Sequence, residues 1–352
     1  MPPSPQVTVN SNTICRYILN NIVNNPVVNG LSVFVPKLMV VAAVRLNSFW
    51  GKSSWQKCLG LVCWCPTLCL SLVACTSIYP SENFLKSARL EQSWVDGIEF
   101  NHRLYRNNLS SPVVTTIPLK NRLHLYIGGD GTPWQAGRYV NADPTPRNPI
   151  TLKLMAQEYN PAVFLGRPCY YGDLANTACS SDIWTFGRYS DDVVASMAKA
   201  ISAELSEMQN PELVLIGYSG GGTLAVLLAS RLQNVVALVT IAANLDTKKW
   251  TDIHGYLPLA TSLNPTFDNA SLVDVKQIHL IGDRDRNVPY AVTESYVSRH
   301  GGLVWNYPTF DHSCCWVAQW PTILQRVNAE INRPPATTTT DDYSSKLNVR
   351  NR

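Results

Sequence analysis

An α/β fold with a mostly parallel sheet covered by helices is what this 352-residue sequence predicts, on three observations. Apolar runs of β-forming residues alternate with amphipathic segments from Ile98 onward. The central runs Leu213–Ile216 and Val235–Ile241 are apolar throughout rather than alternating, as strands covered by helices on both faces must be. The patterned stretch is about 250 residues long, enough for one such domain and too short for two.

The strands are expected at Ile98–Tyr105, Leu123–Ile127, Ala162–Leu165, Leu213–Ile216, Val235–Ile241, Gln277–Ile281 and Leu303–Asn306. Between them, Asp191–Gln209 sets Val193, Met197, Ala200, Ile201 and Leu205 at helical spacing behind an acidic start that suits the helix dipole. Gly221–Leu232 and Pro289–Arg299 are further helices, and a last one follows the final strand. Residues 334–352 lack apolar periodicity and read as a disordered tail.

Composition is globular, with 45% hydrophobic and 15% charged residues. The net charge of +4 comes from the amino-terminal quarter. Residues 1–81 hold no acid, and five of the 29 basic residues precede position 76, leaving 24 against 25 acids in the body. A body without a basic excess argues against nucleic-acid binding. Cys58–Val73 is an uncharged run preceded by Lys52 and Lys57, the layout of an export signal, and it is shorter than a bilayer span. Leu72-Val73-Ala74-Cys75 at its end resembles the lipobox of bacterial lipoproteins. That resemblance implies a mature chain lipidated at Cys75, and Thr76 after it implies an outer-membrane lipoprotein facing the periplasm. The expected organisation is a misassigned upstream extension at 1–38, a signal peptide at 39–74, one domain at 75–333 and the tail.

Four cysteines remain in the body: Cys169, Cys179, Cys314 and Cys315. An even number suits an oxidising compartment, and three pairings are possible. Cys169 with Cys179 is the favoured local pair, whereas adjacent Cys314 and Cys315 could bond only through a strained ring. No cysteine or histidine spacing points to a metal, and no cofactor is expected.

The chemistry concentrates at Gly217-Tyr218-Ser219-Gly220-Gly221, a G-x-S-x-G between an apolar strand and an apolar helix. A bare motif of this kind also fits a flexible turn or a phosphate loop, but no Gly-Lys-Ser/Thr follows. The strand before and the helix after make it a nucleophile elbow, with Ser219 lifted above the sheet.

From this point to the end of the domain the chain resembles the serine hydrolases of the α/β-hydrolase fold. The resemblance implies a nucleophile, an acid and a base in that chain order. Gly282-Asp283-Arg284-Asp285-Arg286-Asn287-Val288-Pro289 is similar to the family's acid loop and puts the carboxylate at Asp285. Asp283, expected to cap the turn or pair with an arginine, and Asp246 are its rivals. Among six histidines, His124 and His279 lie inside strands, His102 precedes the central sheet and His300 follows a helix. His312, in a loop after the last strand, is left as the base. The oxyanion donors would be the backbone N–H groups of Gly220 and of Asp130, chosen over Gly129, in the loop after Leu123–Ile127. Tyr218 and His254 are expected to touch substrate. The aromatics of Arg167–Tyr171 either line the cleft or pack in the core, and Trp184, Arg188 and Tyr189, just before the Asp191 helix, could equally line it or brace the loop below them.

The reading that follows is an exported hydrolase of carboxylic esters, its substrate a small molecule or lipid ester, attached to the membrane through Cys75. An acyltransferase or serine peptidase on the same triad is an alternative, as is a non-catalytic binding module on the same fold. The segment between Ala242 and Lys276 is a small cap without the long amphipathic helices of a lipase lid, which favours soluble or peptide-like acyl substrates and leaves lipids open.

Overall fold

The computed structural model describes residues 80–108, 121–173, 176–208, 211–268 and 272–334. The expected extension 1–38, the expected signal 39–74, the expected lipidation site Cys75 and all but the first residue of the expected tail lie outside them. Eight strands form the main sheet: β1 (Leu90–Asp96), β2 (Asn101–Asn107), β3 (Arg122–Ile127), β6 (Ala162–Leu165), β7 (Glu212–Tyr218), β8 (Val235–Ile241), β9 (Lys276–Gly282) and β10 (Leu303–Tyr307). A separate two-stranded ribbon, β4 (Trp134–Gln135) and β5 (Tyr139–Val140), sits between β3 and β6 in the chain. Spatial order in the main sheet is β1-β2-β6-β3-β7-β8-β9-β10. The strand β2 is antiparallel to both its neighbours, and all pairings from β6 to β10 are parallel.

Helices cover the sheet on both faces: α1 (Glu82–Ser87), α2 (Ile150–Met155), α3 (Asp191–Ser206), α4 (Gly220–Ala229), α5 (Thr247–His254), α6 (Pro265–Asp268), α7 (Tyr290–His300) and α8 (Trp316–Ile331). Strand β7 explains why its sequence is apolar without alternation. Its Leu213 and Leu215 join the core built with α3 and α4, while Val214 and Ile216 join the core built with α2 and α8. Helix α3 buries all five residues its spacing singles out, and its N-cap Ser190 accepts from the Val193 amide.

Two expectations need correction at the sheet's edge. The run Ile98–Tyr105 is not one strand, because the chain turns at Gly97–Phe100, closed by a Gly97 N–H to Phe100 carbonyl bond of 2.9 Å, and Ile98 is exposed in that turn. His102 therefore lies within β2 and inside the sheet, not ahead of it. Strand β1, LEQSWVD, is unannounced by the sequence because an edge strand with one face in water can be polar.

Candidate active site

Ser219 stands between β7 and α4 with φ 53° and ψ −129°, a conformation an L-residue adopts only under constraint. Packing supplies the constraint. A Cβ on Gly217 would overlap the Gly221 carbonyl, and one on Gly221 would overlap the Ile127 and Gly128 carbonyls, so strand and helix meet too closely for larger residues. The Ser219 amide is fixed by a 2.8 Å bond to the Ile241 carbonyl at the end of β8.

His312 lies in the loop between β10 and α8, and its Nε2 is 3.1 Å from Ser219 Oγ. Its Nδ1 is 2.8 Å from Asp285 Oδ2. A carboxylate only accepts, so the imidazole proton belongs on Nδ1 and the lone pair on Nε2 faces the serine. Asp285 is buried in the loop after β9, and its other oxygen takes the Asn287 and Val288 amides at 2.8 Å each. Asp285 is thus oriented before the histidine meets it.

The histidine loop is held from several sides. The Tyr218 hydroxyl donates to the His312 carbonyl at 2.8 Å, and Asp311 Oδ1 accepts the Ser313 and Cys314 amides at 2.8 and 2.6 Å. Burial, with Asp285 and Asp311 nearby, pushes the Tyr218 hydroxyl up, so it stays a donor. Cys314 and Cys315 are joined in a disulfide directly after this turn, which the sequence leaves as a strained option.

The loop after β3 is anchored by Asp130. Its carboxylate accepts from Arg167, from Arg188 at 2.9 Å and from the Tyr189 hydroxyl at 2.8 and 2.9 Å, and its carbonyl accepts from Tyr170 at 2.8 Å. Burial would raise this carboxyl, but the two guanidinium groups overcome it and hold Asp130 at about 2. The same arginines cancel a negative charge that would oppose an oxyanion. The Gly220 amide opens α4 and has no partner inside the helix. The Asp130 amide likewise has no partner among the described residues, and Asp130 Oδ1 packs against Gly220. Gly129 lies against Ser219 as well.

Other candidates fall elsewhere. Asp283 is exposed and forms no ion pair among the described residues, contrary to the cap or arginine partner expected for it. Asp246 caps α5 through the Lys249 amide and also bonds Asn264 and Ser295. His254 is not part of the cavity wall: its Nε2 donates to the Asn287 carbonyl at 2.8 Å, beside the Trp250 indole that donates to the same oxygen. Residues near it in the chain, Trp250, Gly255 and Tyr256, do line the cavity. His124 is spent on Glu158, His279 on Thr240 and His102 on Ser196 and Gly166, all buried.

Ser219, His312 and Tyr218 open on a cavity of about 920 Å³. Tyr171 and Arg188 belong to its wall, and Tyr170 does not. Two residues before Tyr171, Cys169 is bonded to Cys179, closing the loop after β6. Asn244, unremarked in the sequence, also reaches the wall, with neither side-chain polar atom partnered among the described residues.

A family model described as the alpha/beta hydrolase fold matches residues 153–260, a span that holds Ser219 and ends before Asp285 and His312. Among solved structures, the chain is similar to an α/β serine hydrolase without lid from Xanthomonas campestris, at 11% identity, over 73% of this chain and 99% of that one, with a TM-score of 0.46. It is also similar to an esterase from Pyrococcus furiosus, at 12% identity, 72% and 93% coverage and a TM-score of 0.49. A third is α/β-hydrolase domain-containing protein 10 from mouse, at 14% identity, 69% and 98% coverage and a TM-score of 0.45. No curated protein matches the chain.

Proposed function

We propose that this chain, whose fold is that of the α/β hydrolases, is a serine hydrolase of carboxylic esters acting through Ser219, His312 and Asp285. The observation that carries the reading is the unbroken hydrogen-bonded line from Asp285 through His312 to Ser219 at a constrained elbow facing a cavity. In the proposed cycle His312 Nε2 takes the hydroxyl proton as Ser219 Oγ bonds the ester carbonyl carbon, and the carbonyl π pair moves to oxygen. The Gly220 and Asp130 amides meet that oxyanion; one such donor is typically worth about 10²–10³ in turnover. Collapse breaks the ester C–O bond, and the leaving alkoxide takes the proton from His312. Water then repeats the steps on the acyl-serine, releasing the acid and restoring the enzyme.

Labelling with a fluorophosphonate tests this directly. Phosphonylation located on Ser219, together with hydrolysis of short p-nitrophenyl esters that Ser219→Ala abolishes, is the expected result. An unlabelled Ser219 in folded protein would refute it.

We also propose that the domain works outside the cytoplasm, lipidated at Cys75 and facing the periplasm. Two disulfides support an oxidising compartment. Peptide mapping of the mature amino terminus is the check, and residues upstream of Cys75 in the processed protein would sink it.

A further inference from the structure

The charge distribution of the cavity points to its substrate class. Resting on the hydrolase reading, we infer that this site takes esters carrying an anionic group, a carboxylate on the acyl or the alcohol side. The wall includes three arginines, Arg138, Arg147 and Arg188, against a single carboxylate, Asp130. That carboxylate is already shared by two guanidinium groups, Arg188 and Arg167, so the buried cluster keeps a positive surplus. Arg188 is itself buried: its Nε donates to the Thr185 carbonyl and its Nη1 to Asp130, while Nη2 has no partner among the described residues. Arg138 and Arg147 are exposed residues of the same wall and form no ion pair among the described residues.

Three nearby acids, Asp285, Asp311 and Asp143, form no ion pair with these arginines among the described residues, and Asp311, outside the wall, accepts the Ser313 and Cys314 amides. Asp285 lies behind His312 with both oxygens engaged, and Asp143, outside the wall, accepts the Thr145 amide of its own loop. Trp134, Phe186 and Trp250 line the same cavity. Apolar walls around a net charge of one sign concentrate its field on whatever enters. A carboxylate arriving there meets planar donors able to bind it in charge-assisted bonds.

Matched ester pairs test the inference. Mono-4-nitrophenyl glutarate is set against 4-nitrophenyl valerate, and 4-carboxyphenyl butyrate against phenyl butyrate. At least one anionic ester should exceed its neutral partner by about tenfold in kcat/KM at low ionic strength, with the advantage shrinking as salt is added. In an Arg138→Gln, Arg147→Gln double variant the ratio should fall toward one. No preference in either pair, or a preference indifferent to both salt and the double variant, overturns it. Fluorophosphonate labelling of the same samples reports on Ser219 separately. Should nothing be labelled or cleaved, the hydrolase reading falls. Saturation-transfer NMR on the Ser219→Ala protein then decides the charge preference: tighter binding of monomethyl glutarate than of methyl valerate upholds it, and equal binding overturns it.

Discussion

Tyr218 and His312 touch in two ways: the tyrosine hydroxyl donates to the histidine's backbone carbonyl at 2.8 Å, and the two rings lie 5.4 Å apart at a 39° tilt. Because Tyr218 immediately precedes Ser219, adjacent residues supply the proposed nucleophile and a brace for the proposed base. Tyr218→Phe keeps the ring and removes the bond. It should cost about 1 kcal/mol of stability and lower kcat more than it changes KM. Ester kinetics with urea denaturation measure both, and a variant unchanged in kcat would show that the brace does not serve the histidine.

The constraint at the elbow has its own signature. Ser219→Ala keeps a Cβ at φ 53°, whereas Ser219→Gly removes it. Both should be inactive, but the glycine variant should be more stable than the alanine one by about 1 kcal/mol. Equal denaturation midpoints at equal slopes would mean that the backbone is not strained there.

Asp285→Asn should lower turnover by about 10⁴, because an amide facing Nδ1 no longer fixes the productive tautomer. Asp283→Asn, at an exposed position, should leave the rate within about twofold. If the Asp283 variant is the inactive one, the carboxylate has been assigned two residues too late.

Asp130 sets an acid limit. Its carboxyl is held at about 2 against an ordinary 3.8, so the unfolded chain binds this proton at higher pH than the folded one. The resulting stabilisation, about 2 kcal/mol, is complete above pH 4 and lost as pH falls toward 2. Urea midpoints measured from pH 5 to pH 2 should show that loss in wild type. In Asp130→Asn this contribution should vanish, and the variant should be less stable at neutral pH, since two buried guanidinium groups lose their partner. A wild-type profile matching the variant's over that range would contradict the assignment.

The Cys169–Cys179 bridge spans 10 positions, and a loop of that size implies about 2–3 kcal/mol from restriction of the unfolded chain. Cys169→Ser should lower the melting temperature of oxidised protein, and reductant should bring wild type close to the same value. Alkylation of both thiols without prior reduction would remove the premise.

The middle of the sheet is legible in the sequence because β7 and β8 are buried on both faces, and burial writes itself as continuous apolar residues. The edge is not, since β1 needs only backbone bonds to β2 and keeps a polar sequence. The positions of Ser219, Asp285 and His312 can be named from motif and chain order. The surroundings of Asp130 cannot, because its partners arrive from 37 to 59 positions away and no local pattern marks them. His254 misleads for a related reason: it neighbours cavity residues in the chain, yet its ring bonds a carbonyl of the acid loop.

The hydrogen bond between Ser219 and His312 joins residues 93 positions apart. A chain made amino end first therefore carries its serine well before its base exists, and β10 must add to the far side of β9 before the imidazole can approach. Until then Ser219 is an ordinary alcohol with a weak nucleophile's reactivity. On the proposed reading, such a protein is inert throughout its synthesis and passage in unfolded form, and acquires its chemistry only on reaching the place where it folds.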